Sequence, residues 1–242
     1  MLGPPNTDYS ETELTRPSDK LPAIAGLISH IQQQVKSDHS FGHWTQPMPQ
    51  ELLWRAAHPG ITVAGRAPSW SWASIDPARI YNDFGVFYER LTRFKHAEMV
   101  KRPLKTSAVR RSESLAYDAS HAVEIRVHIL KGTLESNKRD ESRFMVRLLR
   151  STDEPRLHFY PDSTTKVSNG TDLFCVLMSS GIRIPDRLTK VKCIMLAVDK
   201  KALKKDPICY SRVGYAVQHG DETCRKIINL FRENPAEHIQ IL

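Results

Sequence analysis

The sequence predicts a β-rich α+β fold: an N-terminal amphipathic helix packed on an antiparallel sandwich or open barrel, with a late C-terminal helix. Apolar residues recur at helical spacing near the start of the chain and again near its end. Between these stretches, short apolar or alternating segments are separated by turn-rich connections, which is typical of strands. With 242 residues and 40% hydrophobic content, the chain is long enough to bury one substantial core.

The N-terminal helix is predicted over "SDKLPAIAGLISHIQQQV". Ser18 is a plausible N-cap, and Pro22 is tolerated in the first turn, where backbone N–H groups have no partner within the helix. One apolar face is shared by Leu21, Ile24, Leu27, Ile28, Ile31 and Val35. The polar, proline-bearing residues 1–17 predict a flexible tail. Residues 18–242 are predicted to form a single β-rich domain.

The strand prediction is clearest in "AVEIRVHILKGTLES". Alternation places Val123, Ile125, Val127 and Ile129 on one face, and the phase then reverses at Leu130 and Leu134. Gly132 lies between the last two, which suggests a bulge or bend. Further strands are predicted in "RFMVRLLR", "RLHFY", "DLFCVLM", "VKCIMLAVD" and "PICYSRVGYAV". The basic, serine-rich residues 101–120 predict a flexible loop.

Near the chain end, "ETCRKIINLFRE" has the spacing of a helix and "EHIQIL" that of a short closing strand. In the first half, "ELLWRAAHPG" suggests a short helix ended by Pro59-Gly60. "RAPSWSWAS" alternates with a period of two, which predicts a strand with Trp70 and Trp72 on one face. Two adjacent indoles bury a large apolar area, so we expect both to anchor the core beneath the N-terminal helix.

The composition of the chain bears on the class of partner and the compartment that we expect. Thirty-five Lys and Arg against 27 Asp and Glu give a net charge of +8, which permits an acidic partner such as nucleic acid. The basic residues fall in dispersed doublets at predicted loops, however, and no nucleic-acid-binding motif accompanies them, so nucleic acid is an unlikely partner. No apolar run is long enough to cross a membrane, and no signal peptide precedes the helix. The four cysteines lack metal-ligand spacing and predict reduced thiols in a cytoplasmic protein.

No catalytic constellation is apparent. His39 and His43 in "HSFGH" have a four-residue spacing, but glycine and serine make this stretch a loop rather than a metal-binding helix. "DASH" contains Asp118 and His121, yet adjacent residues rarely supply the geometry of a triad. Cys175 and Cys193 lie in apolar runs, where thiols are usually inert. We therefore predict no catalytic residue, no cofactor, no metal and no enzyme activity.

Three segments in order resemble one family. "SDKLPAIAGL", "LLWR" and "APSWSWASID" are similar to the region that follows the HET domain in fungal heterokaryon-incompatibility proteins. Later pieces, "ILKGTLES", "LFCVLM", "CIMLAV", "YSRVGYAV" and "HIQIL", resemble the subsequent strands of that region, so the resemblance extends from about residue 9 to 242. Asp76-Pro77 stands where the family usually has Asp-Gly, so the turn geometry there is not carried over.

The resemblance implies a role in non-self recognition and cell death after hyphal fusion. The HET domain, a Toll/interleukin-1-receptor-like domain, would precede residue 9, and no position here aligns with it. None of its activity is therefore carried over. The predicted function is a non-enzymatic structural or regulatory module that packs against a HET domain in cis or in trans, or self-associates. The alternatives are a basic nucleic-acid-associated protein and a degenerate gene fragment, including a gene model whose start omits upstream exons.

Overall fold

The computed structural model describes residues 9–77, 79–82, 92–103, 121–137, 140–149, 155–164, 168–183, 187–199 and 208–242. The helices are α1 (Lys20–Val35), α2 (Met48–Glu51) and α3 (Asp221–Arg232), with 3-10 turns at Pro17–Asp19 and Trp72–Ser74. The strands before the first long gap are β1 (His39–Ser40), β2 (His43–Trp44), β3 (Trp54–Ala56), β4 (Ile61–Thr62), β5 (Ile75–Asp76) and β6 (Ile80–Asn82). The later strands are β7 (Thr92–Lys95), β8 (Glu98–Lys101), β9 (Val123–Val127), β10 (Ile129–Asn137), β11 (Asp140–Leu148), β12 (Arg156–Pro161), β13 (Asp172–Arg183), β14 (Arg187–Val198), β15 (Cys209–His219) and β16 (Glu237–Ile241).

Six antiparallel strands form a closed barrel in the order β12-β11-β10-β13-β14-β15, with β12 pairing back onto β15. The sheet then continues beyond the barrel: β16 runs parallel to β15, β9 is antiparallel to β16, and β8 pairs with β9. The three small two-stranded sheets all lie in the N-terminal part of the chain. The predicted β-rich α+β class, with an N-terminal helix and a late helix, is confirmed.

Barrel closure depends on a glycine in β15. Gly214 lies opposite Pro161 of β12. A Cβ atom at Gly214 would lie 2.3 Å from Cε2 of Phe159 and 2.6 Å from the carbonyl oxygen of Tyr160. Both distances are far shorter than a van der Waals contact, so any side chain at this position would push the two strands apart.

Replacing Gly214 by alanine should lower the free energy of unfolding by about 1–3 kcal/mol, the usual cost of overpacking. Urea unfolding followed by circular dichroism measures this. Gly26→Ala is the matched control, because no atom lies within 4 Å of its Cβ position in α1. That change should stabilise the protein by a few tenths to about 1 kcal/mol, since alanine favours helices. Equal stability of Gly214→Ala and the parent would contradict the role in closure.

Two apolar cores lie on opposite sides of the barrel wall. The lumen is filled by side chains from all six strands and capped by one face of α3, contributed by Cys224, Ile227, Ile228 and Phe231. The second core lies between the outer barrel face, β9, β16 and the N-terminal part, including Leu21 and Ile24 of α1. Strands β13 and β14 contribute to both cores, which explains their uninterrupted apolar runs.

The predicted phase reversal marks the passage from one core to the other. Val127 and Ile129 belong to the outer core, whereas Leu130 and Leu134 point into the lumen. The break between β9 and β10 falls at His128, so the predicted bulge or bend at Gly132 is wrong. Gly132 is instead a regular strand residue, where a Cβ would lie 2.6 Å from Cγ1 of Val146.

Two local helix predictions need correction. The α-helix of α1 begins at Lys20, and Ser18 lies in the preceding 3-10 turn rather than capping the helix with its side chain. The helix predicted over "ELLWRAAHPG" is wrong: α2 comes earlier, and Trp54 begins strand β3. There the tertiary pairing of β3 with β6 overrides local helix propensity. The late helix and the closing strand lie where the sequence predicts them.

The boundaries of the predicted tail and loop shift as well. Residues 1–8 and 104–120 lie outside the described residues. Within the predicted tail, Ser10 is buried and accepts a hydrogen bond from the backbone N–H of Ile80 at 2.9 Å. Lys101 at the start of the predicted loop ends β8, and Pro103 is buried. The packed chain therefore begins at least seven residues before the 3-10 turn.

Candidate functional site

The segment Ser69–Ser74, which we call the serine–tryptophan loop, is not a strand as predicted. Ser71 is extended, and residues Trp72–Ser74 then form one turn of 3-10 helix. The Ser71 hydroxyl accepts a hydrogen bond from the backbone N–H of Ala73 at 3.0 Å, which starts that turn. A side-chain cap of this kind does not alter the alternation of apolar and polar residues, so the period of two wrongly predicted a strand.

Three indoles tie this loop to other segments. Trp54, Trp70 and Trp72 are almost completely buried, as predicted for the latter two. Trp54 Nε1 donates to the carbonyl oxygen of Trp70 at 2.9 Å, and Trp70 Nε1 donates to that of His121 at 3.0 Å. Trp72 Nε1 donates to the carbonyl oxygen of Gly42 at 3.0 Å. Each buried indole therefore satisfies its only donor on a backbone far away in sequence.

The serines of the loop extend this network. Ser71 Oγ donates to the carbonyl oxygen of Phe41 at 2.6 Å. Ser69 donates to the carbonyl oxygen of Leu242 through both its backbone N–H and its hydroxyl. The Ser69 hydroxyl also accepts the backbone N–H of Arg212 at 2.9 Å. The loop thus joins the β1–β2 hairpin, strand β15 and the residue that follows β16.

Trp70→Ala and Trp72→Ala should each reduce the free energy of unfolding by about 3–5 kcal/mol, the usual range for deleting a buried aromatic side chain. Urea or thermal unfolding measures the loss. Trp44→Ala is the control, because Trp44 is only half-buried and packs edge-on against His39 of the hairpin. A Trp70 or Trp72 variant no less stable than the control would contradict the core role.

A buried arginine joins the barrel to the N-terminal part. Arg212 of β15 is fully buried, and its guanidinium carbon lies 3.4 Å from the ring centroid of Trp54. The guanidinium donates to the carbonyl oxygens of Leu52 and Trp54 at 3.1 and 2.6 Å and pairs with Asp162 at 3.2 Å. Burial lowers the pKa of Arg212 to about 10 against the opposing effect of Asp162, so the group remains charged at neutral pH.

A second charged cluster fixes the start of α1. Lys20 is buried and pairs with Asp76, which also pairs with Arg66 at 3.0 Å between Nη1 and Oδ2. Lys20 Nζ donates to the carbonyl oxygen of Ser10 at 2.8 Å, and Tyr9 donates to that of Lys20. Burial lowers the pKa of Lys20. Burial alone would raise the pKa of Asp76, but the hydrogen bonds from Lys20 and Arg66 bring it below its usual value.

Beyond this anchor, α1 leaves apolar side chains exposed. Leu21 and Ile24 are buried, while Leu27 and Val35 are 49% and 45% exposed. Ile31 lies between these two on the helix surface and is partly exposed. We call Leu27, Ile31 and Val35 the outer face of α1. The stripe predicted from the sequence is therefore covered by the core only in its N-terminal half.

The histidine pair of "HSFGH" is structural. Strands β1 and β2 form a hairpin whose turn residues Phe41 and Gly42 both have positive φ. His43 Nε2 accepts the backbone N–H of Trp72 at 3.4 Å, and its Nδ1 lies 3.2 Å from Oε2 of Glu51. Both ring nitrogens of His43 are thus engaged by the protein. Within the described residues, no cluster of His, Cys, Asp and Glu has the makings of a metal site.

Two partly buried histidines make stability depend on pH. Burial, assisted by nearby His43, lowers the pKa of His39 from 6.5 to about 4. Burial, with Arg232 and His128 nearby, lowers the pKa of His96 to the same value. Both folded-state pKa values lie below that of the unfolded chain, so the unfolded chain binds protons first. Their stabilising contribution is full above pH 6.5 and is lost as pH falls towards 4.

We expect the double variant His39→Asn, His96→Asn to lose less stability than the parent between pH 7 and pH 4.5. Urea unfolding at the two pH values gives the comparison. His30→Asn, on an exposed position of α1, is the control and should follow the parent. A parent and a double variant with the same pH dependence would show that neither histidine contributes.

Within the described residues, the remaining candidates show no catalytic arrangement. Asp118 and Ser120 lie outside the described residues, and the carbonyl of His121 binds the indole of Trp70. All four cysteines are buried, and none forms a disulfide. Burial raises the pKa of Cys175 well above its usual value, so its thiol stays protonated at neutral pH. The sequence did not reveal that Lys20 and Arg212 are buried; for Arg212 the available signal is a charged residue that interrupts a largely apolar strand.

No protein-family profile, curated protein or solved structure matches this chain. Within the described residues, every helix is too short or too polar to span a lipid bilayer.

Proposed function

We propose that this chain is a non-enzymatic interaction and regulatory module of a fungal heterokaryon-incompatibility protein, and that it docks a partner through α1. The observation that carries the proposal is the outer face of α1. Leu27 and Val35 are about half exposed on a helix whose first turn is held rigidly by buried charges. Neighbouring exposed apolar side chains are typical of surfaces that another protein covers.

The anchor makes the helix suitable for docking. Asp76, Lys20 and Arg66 hold the N-terminal end of α1 against the core, and Ile28 packs on the same core one turn after Ile24. The outer face is therefore presented on a preformed helix. A preformed helix loses little conformational entropy when it binds, and its exposed residues recur at the spacing of a helix–helix contact.

The family resemblance indicates which partner the outer face of α1 would bind. In heterokaryon-incompatibility proteins the chain passes from the HET domain directly into the segment that resembles α1. A HET domain, in cis or supplied in trans, is therefore the partner that we propose for the outer face, and self-association through the same face is the competing outcome. The role that follows is regulation of cell death in non-self recognition, with the killing activity residing in the HET domain.

The test is the double variant Leu27→Glu, Val35→Glu, which places two charges in the outer face without touching the buried half of α1. Co-expression with a HET domain from a fungal paralogue, followed by co-purification, should show binding of the parent and at least a tenfold loss for the variant. Ile61→Glu is the matched control, because Ile61 of β4 is 62% exposed elsewhere on the surface. Thermal unfolding verifies that all three proteins are folded.

Size-exclusion chromatography with light scattering distinguishes self-association from capture of the HET domain. A parent that neither binds a HET domain nor self-associates would refute the docking role of α1. Equal losses for the double variant and Ile61→Glu would do the same. Growth arrest caused by this chain alone, in a fungal strain without HET-bearing paralogues, would refute the non-enzymatic regulatory role.

A further inference from the structure

A groove of about 640 Å³ lies beside β12. Its lining includes His58, Phe144, His158, Phe159, Tyr160 and His219. Among the described residues, the lining combines aromatic rings with three imidazoles and has no acidic side chain. Its volume is in the range of small-molecule sites, which is roughly 300–1,000 Å³.

An arginine held between two tyrosines lies next to the groove: Arg55 is not part of the described lining, but it contacts Tyr160, which is. The guanidinium carbon of Arg55 lies 4.9 Å from the ring centroid of Tyr81 and 5.0 Å from that of Tyr160. Both tyrosines are more than one-third exposed. Cation–π contacts use the faces of the guanidinium, whereas its N–H donors lie in the guanidinium plane and stay available.

Arg55 differs from two other arginines of this region in its partners. Arg79 also contacts Tyr81 but pairs with Glu11 at 3.6 Å, and Arg212 pairs with Asp162. Within the described part of the chain, the guanidinium of Arg55 interacts with the two tyrosine rings and with no carboxylate. It is thus preorganised beside a groove whose described lining has no acidic residue, and its donors fit an anionic oxygen.

We propose that this groove binds a small ligand of the nucleotide class, with a planar ring and a phosphate. The ring stacks against the aromatic wall that contains Tyr160, and the phosphate contacts the guanidinium of Arg55, with the imidazole of His158 on the same wall. A single preorganised arginine and a groove of this volume match one small ligand rather than a long polymer. The proposal is independent of the docking role of α1.

Isothermal titration calorimetry with adenosine 5′-monophosphate tests the site, with adenosine and ribose 5-phosphate as the two halves of the ligand. The whole nucleotide should bind at least tenfold more tightly than either half. Arg55→Met keeps an unbranched stem between the tyrosines but removes the charge. It should weaken nucleotide binding about tenfold or more, as expected for the loss of a charge-assisted hydrogen bond, and leave adenosine binding unchanged. Arg126→Met, at an exposed arginine of β9, is the matched control.

His158→Ala keeps the proposal testable if Arg55→Met does not fold, because His158 is exposed and its truncation leaves the core intact. It should weaken nucleotide binding severalfold. Absence of saturable binding at millimolar nucleotide would overturn the proposal, as would equal affinities of the Arg55 or His158 variants and the Arg126 control. Tight, steeply salt-dependent binding of a single-stranded oligonucleotide without binding of the mononucleotide would also overturn it, in favour of a nucleic-acid surface.

Discussion

The burial of three indoles in one small region is the constraint on which the rest of this structure depends. An indole N–H taken out of water without a hydrogen-bond partner costs on the order of 1–3 kcal/mol, so each ring must be placed where a carbonyl can accept its proton. Trp54, Trp70 and Trp72 meet this condition by binding the backbone of one another or of distant segments. The serines between them add contacts to Phe41 and Leu242. These hydrogen bonds therefore fix both the packing of the large apolar rings and the positions of four other chain segments.

The barrel supplies the surface on which that network rests. Where β13, β14 and β15 form it, the wall is apolar on both sides, since the lumen is filled by strand side chains and α3 while the outer face of these strands packs against the outer core. Gly214 lets β12 and β15 approach closely enough to close the barrel. Two residues earlier in β15, Arg212 carries a charge into the junction between the barrel and the tryptophans, where Asp162 and two carbonyl oxygens compensate for its desolvation. Strand β15 thus provides both the glycine that lets the barrel close and the arginine that attaches the barrel to the N-terminal part.

The two surfaces to which we assign functions differ in chemistry. The outer face of α1 is apolar and lies next to a charged cluster that holds the helix in place, which suits a protein partner. The groove beside β12 is lined by aromatic rings and imidazoles and bordered by Arg55, which suits a small anion with a ring. The serine–tryptophan loop lies in the core that joins α1 to the barrel, and its indole N–H groups and the hydroxyls of Ser69 and Ser71 are engaged in structural hydrogen bonds. It therefore has an architectural role.

The sequence by itself determined the class of fold, the long strands, both long helices and the burial of Trp70 and Trp72. These features follow from hydrophobic periodicity, which local geometry translates directly into a buried face. It also located the reversal at Leu130, although the change of core behind that reversal was not apparent. Only the tertiary structure decided that the barrel closes, that the serine–tryptophan loop is a capped turn, and that Trp54 begins a strand. The ion pairs of Lys20 with Asp76 and of Arg212 with Asp162 also became apparent only in the tertiary structure. Pairings between residues distant in sequence depend on how the two cores share one wall, and no local pattern encodes that arrangement.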